Sequence, residues 1–464
     1  MFKRMKPVVF TLILIILIAN ACSTASRHQE KEKDKPSDKP IDRGVVYKSV
    51  QCLNYALSYS LYWPLNQRNP ELPLLVFFDP SGKGNVPVEK YSKLAEKYGF
   101  ILAGLNDSKN GMQWDQVQTI ALSVIEDCIN RYPVQKERIY ACGFSGGSRY
   151  AMALALTSQQ ITGIIGCGAA LPAVNQQAVR SFNWCGIVGM EDFNYLEMRN
   201  MDESLKETPI RHILIEFEGN HEWPSENVMN DGFLWLETEA VRANLIKADT
   251  LLFQELNNIL AETTWSISHP ALLERELARK MKMMEGIVSQ NGLEKELDKL
   301  QQSSSLQREK QLENLALKKE IQMQEFYLQS LSTKDIDWWT TETGHLWQKT
   351  KSTDFYEAKA YQRILNYISL ACFMQCSQGF KQNKNVFYHF LKLYEMVDPD
   401  NPDMFYFKAL GEMMEKQPEK ALESLRKSIE NGFNDQEKLL KEETFRPLYQ
   451  KKEWNELMNS LKSE

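Results

Sequence analysis

The stretch IYACGFSGGSR at residues 139–149 carries the most structural information in this chain. An apolar run leads into the pattern Gly-x-Ser-x-Gly, and small residues follow, which is typical of a strand that turns sharply into a helix. Ser145 would occupy the strained turn, where Gly143 and Gly147 leave room for the close approach of strand and helix. Since the first N–H groups of a helix are free, we expect the Gly146 amide to stabilise an oxyanion beside Ser145.

Apolar runs and helical periodicities alternate on both sides of this motif. Strands are predicted at residues 59–64, 72–78, 100–105, 138–144, 161–169, 184–189 and 210–217, and helices at 88–98, 116–130, 148–158 and 232–243. Strands separated by helices at this spacing predict an α/β domain with a doubly wound, mostly parallel sheet. We expect this domain to cover residues 44–244.

The composition changes after residue 245, where Leu, Glu, Lys and Gln become frequent and glycine becomes scarce. Apolar residues at helical spacing predict a long amphipathic helical region over residues 245–350, with a short break at Trp338. Residues 351–464 are predicted to form a helical domain, with one helix at 356–380 and helix pairs over 386–461. Within them, residues 418–432 resemble the second half of a tetratricopeptide repeat, and 405–415 are a candidate first half. The alternative is a solenoid cap, or a plain helical hairpin packed on the α/β domain.

The N-terminus has the pattern of a targeting segment. Lys3, Arg4 and Lys6 precede an apolar run at residues 8–18, which is too short to span a bilayer comfortably. Small residues then lead to Cys22, as in a bacterial lipobox. We therefore expect a lipoprotein signal peptide over residues 1–21 and lipidation of Cys22; a plain signal peptide with an incidental cysteine is the alternative.

Residues 22–43 are rich in Ser, Lys, Glu, Asp and Pro and lack an apolar period, which predicts a flexible tether. Such a protein would belong to the cell envelope, held to the membrane by acyl chains. The segment after Cys22 has no immediate acidic cluster, and this favours the periplasmic side over the cell surface.

Composition limits the other function classes. The 464 residues allow two or three domains, and a formal net charge of −6 argues against a nucleic-acid partner. No Cys/His spacing is typical of a zinc site. With Cys22 lipidated, seven of the eight cysteines remain, an odd number in mostly apolar surroundings. We expect unpaired core thiols, although an extracytoplasmic compartment would permit disulfides.

A nucleophilic serine needs a base, and the base needs an acid that orients it. In a fold of this kind the partners follow in the order serine, acid, histidine. Asp192 comes directly after the strand predicted at 184–189, and His221 follows the strand at 210–217. Because the carboxyl ends of parallel strands form the active-site crevice, Ser145, Asp192 and His221 are the candidate triad.

Each triad partner has a less specific interpretation. Asp192 is alternatively a solvated carboxylate in a turn, in which case Glu191 is the rival for the acid of the triad. His221 is alternatively an ordinary loop histidine. His212 is the other histidine in this half, but it falls at a strand start.

A second oxyanion donor is expected from the loop after the strand at 72–78. That loop has the sequence Asp-Pro-Ser-Gly-Lys-Gly at residues 79–84. Pro80 has no N–H, so the Ser81 amide is the candidate donor. The next strand is followed by Asn106, Asn110 and Trp114. These residues are candidates either for the lining of the pocket or for the formation of turns.

Residues 59–238 resemble the α/β-hydrolase superfamily, in particular enzymes similar to polyhydroxyalkanoate depolymerases, feruloyl esterases and dienelactone hydrolases. The shared features are YSLYWP at residues 59–64, GFSGGSR at 143–149 and GNHEWP at 219–224. Asp79-Pro80 stands where many relatives have His-Gly. The resemblance covers less than half of the chain.

This resemblance implies acyl transfer without a cofactor or metal. Ser145 would attack an ester carbonyl, His221 would take its proton, and Asp192 would hold the imidazolium. Amides of Ser81 and Gly146 would stabilise the oxyanion, and water would hydrolyse the acyl-enzyme.

The sequence therefore predicts a lipid-anchored serine esterase that acts on a small-molecule or polymer ester. One alternative is a peptidase or thioesterase with the same triad. The other is an interaction protein whose C-terminal helices bind a protein partner and whose hydrolase-like domain is not catalytic.

Overall fold

The computed structural model describes residues 41–171, 181–261 and 268–461. The predicted signal peptide, Cys22 and most of the predicted tether lie outside the described residues. Over the described part of the chain, no helix combines the length and apolar character needed to cross a membrane.

An eight-stranded sheet organises the first part of the chain. Its strands are β1 (Val46–Gln51), β2 (Ser58–Tyr62), β3 (Leu72–Phe78), β4 (Ile101–Leu105), β5 (Val134–Phe144), β6 (Ile161–Cys167), β7 (Asn183–Gly189) and β8 (Arg211–Phe217). The strand order is β1-β2-β4-β3-β5-β6-β7-β8. The β1–β2 and β2–β4 pairs are antiparallel, and all other neighbours are parallel. The mostly parallel sheet is confirmed.

Within the described residues, helices follow β3, β4, β5, β7 and β8. They are α1 (Asn85–Tyr98), α2 (Trp114–Arg131), α3 (Gly146–Thr157), α4 (Tyr195–Leu205), α5 (Glu226–Arg242), α6 (Thr250–Ala261), α7 (Pro270–Met284) and α8 (Asn291–Gln301). The apolar core around the sheet includes side chains from α6, α7 and α8, among them Leu256, Leu277 and Leu293. The compact unit built on the sheet ends at Gln311, so the domain boundary predicted at 244 lies inside it.

The strand register aligns the ends of three central strands. Phe78 at the end of β3 is opposite Gly143 of β5, and Phe144 is opposite Cys167, the last residue of β6. Every residue of β3 is buried, as its continuous apolar run predicts. The turn after β5 is therefore supported by buried strands on both sides.

The rest of the chain is helical, as predicted. The helices are α9 (Ser304–Thr333), α10 (Ile336–Lys349), α11 (Phe355–Gln382), α12 (Lys384–Val397), α13 (Pro402–Met414), α14 (Pro418–Glu430), α15 (Gln436–Lys441) and α16 (Lys452–Ser460), with a 3₁₀ helix at Glu443–Leu448. A second compact unit begins at Leu312, within α9. It has its own apolar core, which includes Trp339, Phe387 and Leu410.

The break predicted at Trp338 is wrong by a few residues. Helix α10 begins at Ile336, and the carboxylate of Asp335 caps it by accepting a hydrogen bond from the Trp338 amide at 2.9 Å. Trp338 and Trp339 therefore lie in the first turn of the helix, where Trp339 is fully buried. The N-cap acid Asp335, three residues before Trp338, marks the true start.

Helices α13 and α14 are a closely packed pair. Asn401 caps α13, the Ser424 hydroxyl donates to the Glu412 carboxylate at 2.7 Å, and Ser428 donates to the Pro402 carbonyl at 2.7 Å. The tetratricopeptide resemblance of these helices stays a prediction.

The seven cysteines of the described residues are buried and free, in agreement with the expected core thiols. Burial raises the pKa of the Cys52 thiol to about 12 and that of Cys376 to about 12. Such thiols are protonated and unreactive near neutral pH.

Candidate active site

Ser145 occupies a strained turn between β5 and α3. Its φ of 54° is unusual for a residue other than glycine, and it stands at the N-cap position of α3. The Ser145 amide donates to the Cys167 carbonyl at 2.9 Å, and its carbonyl accepts from the Ser148 amide at 3.0 Å. These backbone bonds hold the serine in a conformation that is costly on its own, which is common at functional sites.

Two glycines make this turn possible. A Cβ at Gly143 would collide with the backbone of Gly147, and a Cβ at Gly147 would collide with the Phe78 carbonyl. The first turn of α3 thus lies directly on the ends of β3 and β5. Larger residues at either position would push the helix, and with it Ser145, away from the sheet.

Asp192 and His221 form a hydrogen-bonded pair at the ends of β7 and β8. The Asp192 side chain is almost fully buried, and its Oδ2 accepts from His221 Nδ1 at 2.8 Å. Its Oδ1 accepts from the Asn194 amide at 2.7 Å. Asn194 in turn donates through Nδ2 to the Gly168 carbonyl at 2.8 Å. With the Nδ1 proton held by Asp192, Nε2 of the neutral imidazole is left as the basic nitrogen.

Two phenylalanines hold the ring of His221. The ring centroids of Phe144 and Phe193 lie 4.6 Å and 4.2 Å from the imidazole centroid. Phe144 directly precedes Ser145, so the imidazole lies beside the turn that carries the serine. The His221 side chain stays 17% exposed, which leaves it open to a proton exchange with substrate.

Gly168 lies where these groups converge. An added Cβ there would be 3.0 Å from Asp192 Oδ2 and 3.2 Å from His221 Cε1, and its φ is 64°. The structure therefore brings the turn of Ser145 together with Asp192 and His221 at the carboxyl edge of the sheet, where open α/β sheets bind their ligands.

The rival residues have other contacts. The Glu191 amide donates to the Gly219 carbonyl at 3.0 Å, while the carboxylate bonded to His221 belongs to Asp192. His212 is buried at the start of β8, with its Nδ1 2.9 Å from the Ile210 carbonyl. Burial lowers the pKa of His212, so this imidazole tends to stay neutral.

The loop after β3 differs from its predicted role. The Ser81 amide donates to Asp79 Oδ1 at 2.9 Å, and Asp79 Oδ2 accepts from Trp223 Nε1 at 3.1 Å. Because Asp79 is buried, its carboxylate needs these donors. The Ser81 amide is thus directed at Asp79, and its predicted bond to the oxyanion is not supported by the geometry.

The three candidate pocket residues after β4 separate into different roles. Asn106 donates through Nδ2 to the Lys48 carbonyl at 3.1 Å and accepts from the Ser60 hydroxyl at 2.9 Å, so it is a structural link. Trp114 begins α2, where its ring stacks on Tyr150 with centroids 6.3 Å apart. Asn110 contacts Gly146, since a Cβ on Gly146 would lie 2.9 Å from Asn110 Nδ2 and would collide with Oδ1.

Sequence reasoning missed the residues that hold the pair in place, namely Phe193, Asn194 and Gly168. The turn that places Asn194 had a sequence signal, because an Asp such as Asp192 commonly accepts a hydrogen bond from the backbone N–H two residues further on. The described residues contain no group of three or more His, Cys, Asp or Glu side chains suited to hold a metal ion.

Neither a protein-family model nor a curated protein matches this sequence. Among solved structures, it is similar to S-formylglutathione hydrolase FrmB from Staphylococcus aureus, with 12% identity, a TM-score of 0.34, and coverage of 41% of this chain and 94% of that chain. Esterase B from Lactobacillus rhamnosis matches with 13% identity and a TM-score of 0.34, over 40% of this chain and 83% of that chain. Est1E from Butyrivibrio proteoclasticus matches with 12% identity and a TM-score of 0.34, over 42% of this chain and 100% of that chain. Any function of this chain is therefore inferred from its own site.

Proposed function

We propose that this chain is a serine hydrolase that cleaves carboxylic esters through Ser145, His221 and Asp192. The observation that carries this proposal is the hydrogen bond between His221 and the buried Asp192, beside the strained turn of Ser145. These residues supply a nucleophile, a base and an orienting acid at one edge of the sheet, which are the three components of a catalytic triad.

The chemistry follows from these positions. His221 Nε2 takes the Ser145 hydroxyl proton while Oγ attacks the carbonyl carbon, and a tetrahedral oxyanion forms. Gly146 begins α3, so its N–H has no acceptor within the helix and is free to donate to that oxyanion. The imidazolium then protonates the leaving alcohol, and an acyl-enzyme remains. Water, deprotonated by His221, attacks the acyl carbon; the bond to Ser145 Oγ breaks, the acid leaves, and the imidazolium returns its proton to Oγ.

Asp192 acts on the base and not on the substrate. Its buried carboxylate favours the imidazole tautomer with the proton on Nδ1 and stabilises the imidazolium that forms during each transfer. The second hydrogen bond, from the Asn194 amide, fixes the carboxylate before substrate arrives.

Ester hydrolysis by the purified chain tests the proposal. We expect turnover of a p-nitrophenyl ester series and loss of nearly all of it in Ser145→Ala, since the nucleophile is removed without adding bulk. Parallel assays with an acyl thioester and a peptide anilide separate an esterase from a thioesterase or peptidase. No turnover of any of these substrates by the folded chain would reject the proposal.

A lipid anchor at Cys22 and a periplasm-facing position complete the proposed function. Their support is the sequence pattern alone: a basic start, a short apolar run and small residues before Cys22. An anchor of this kind would hold the hydrolase at the membrane surface, close to substrates of the envelope.

A further inference from the structure

We propose that the carboxamide of Asn110 supplies the second hydrogen bond to the oxyanion. This inference rests on the proposed function, since it assigns a catalytic residue to the same site. It replaces the role that the sequence suggested for the Ser81 amide.

The loop after β3 directs its amides elsewhere. Pro80 has no N–H, and the Ser81 and Lys83 amides both donate to Asp79 Oδ1, at 2.9 Å and 3.2 Å. The Gly82 amide donates to the Asp79 carbonyl at 3.1 Å. Asp79 thus accepts from the N–H groups of residues 81–83, and an oxyanion would have to compete with its buried carboxylate for two of them and with its backbone carbonyl for the third.

Asn110 lies next to the first donor. Gly146 carries the amide proposed as that donor, and the Asn110 carboxamide is in contact with Gly146. Within residues 41–171, 181–261 and 268–461, no hydrogen bond engages the Asn110 side chain. Its Nδ2 protons are therefore available to a ligand beside Ser145, and an added Cβ on Gly146 would take the space that the carboxamide fills.

The loop that carries Asn110 is supported from two sides. The Asn110 amide donates to the Pro80 carbonyl at 2.9 Å. The Tyr150 hydroxyl, on α3, donates to the Met112 carbonyl at 2.9 Å, and the Tyr150 ring stacks on Trp114. These contacts tie the loop to the helix that begins at Gly146. The backbone that carries the donor is therefore held in place before substrate arrives, which lowers the reorganisation needed during the reaction.

A carboxamide is suited to this task because the hydrogen bond from its N–H to the substrate carbonyl oxygen strengthens as negative charge develops on that oxygen. The stabilisation is greater in the transition state than in the substrate complex. Removing Asn110 should therefore lower kcat much more than it changes KM.

The test compares Asn110→Ala and Asn110→Asp with the wild-type chain in p-nitrophenyl ester hydrolysis. We expect kcat to fall about 10²–10³-fold in Asn110→Ala, with KM little changed. Asn110→Asp should fall at least as far, because a carboxylate repels the oxyanion. Lys109→Ala, an exposed neighbour in the same loop, should keep the wild-type kcat.

The outcomes separate this inference from the proposed function. If Ser145→Ala loses activity while Asn110→Ala keeps the wild-type kcat, the assignment of Asn110 is overturned and the hydrolase stands. An equal fall of kcat in Lys109→Ala would also overturn it, because this would indicate a disturbed loop. A rise of KM alone in Asn110→Ala would overturn it as well, because this would indicate a role in substrate binding. Circular dichroism spectra of all variants check that they are folded; Asn110 is exposed, so its truncation opens no core.

Discussion

The pair of Asp192 and His221 shows at the scale of single residues how burial sets chemical roles. A carboxylate removed from water is stable only when donors compensate it, and Asp192 has His221 on one oxygen and the Asn194 amide on the other. The carboxylate bonded to the imidazole is that of Asp192, although the sequence places Glu191 at the same strand end.

Replacing Asp192 by Asn should show whether this residue orients the His221 imidazole or only contributes to substrate binding. The amide keeps the shape of the side chain but no longer favours the imidazole tautomer with its proton on Nδ1. We expect kcat for ester hydrolysis to fall about 10⁴-fold, with the fold retained. Glu191→Gln is the matched control and should keep most of the wild-type rate. The opposite ranking of the two variants would assign the acid to Glu191.

Residue roles were predictable where a motif demands a residue type. The spacing around Ser145, and the acid and histidine after later strands, follow from chain order and strand ends. The role of Asp79 was not predictable, because its pairing with Trp223 joins positions far apart in the sequence. The same limit applies to Phe193, whose contact with His221 depends on how two loops meet.

At the scale of elements, an ion-pair cluster links the end of β8 to α4 and α7, just before the loop of His221. Glu216 accepts from Arg275 Nε at 2.6 Å, from Tyr195 at 2.5 Å and from Arg199 at 3.3 Å. Burial alone would raise the pKa of Glu216, but Arg275 and Arg199 outweigh it, and the pKa is lowered from its ordinary value of 4.5. The carboxylate therefore stabilises the fold above that pH.

Glu216→Gln should lose this stabilisation in a pH-dependent way. At pH 7 we expect a loss of about 3–5 kcal/mol of unfolding free energy, because two arginines keep their charge without the partner. As the pH falls below 4.5 and through the lowered pKa of the folded state, the wild-type chain loses the same contribution, so the gap closes. Thermal unfolding at several pH values measures it.

The exposed Glu207→Gln is the control and should unfold like the wild type at each pH. A gap between Glu216→Gln and the wild type that is independent of pH would show that Glu216 acts through its shape alone.

Strands with continuous apolar runs were predicted almost to the residue, as β3 shows. The edge strand β1 was missed because its sequence VYKSVQ is half exposed and lacks a strict alternation, so its pairing with β2 defines it. Helix α4 was missed as well, since only four of its eleven residues are buried and its apolar signal is weak.

At the scale of the whole molecule, the position where the composition changes does not coincide with the end of the core around the sheet. The change near residue 245 comes after the last strand and the helix α5 that follows it, yet α6, α7 and α8 contribute to the core of the sheet. A composition shift reports the type of secondary structure and not which core an element joins. The division of the helical half at residue 350, and a protein partner for its last helices, stay predictions.

The proposed anchor makes a prediction about the whole chain in a bacterial cell. Wild-type protein should sediment with membranes and enter the detergent phase, because acyl chains supply the binding. Cys22→Ala should move to the soluble fraction, while the neighbouring Ser23→Ala should stay with the membrane. Membrane association that survives in Cys22→Ala would contradict lipidation at this residue.

Covalent labelling of the folded chain with a fluorophosphonate, followed by peptide mass spectrometry, tests the central claim most directly. We predict one adduct on Ser145, no adduct in Ser145→Ala, and much slower labelling in His221→Ala. Labelling that is equal in wild type and Ser145→Ala, or absent from the folded wild-type chain, would contradict the assignment of Ser145 as the nucleophile.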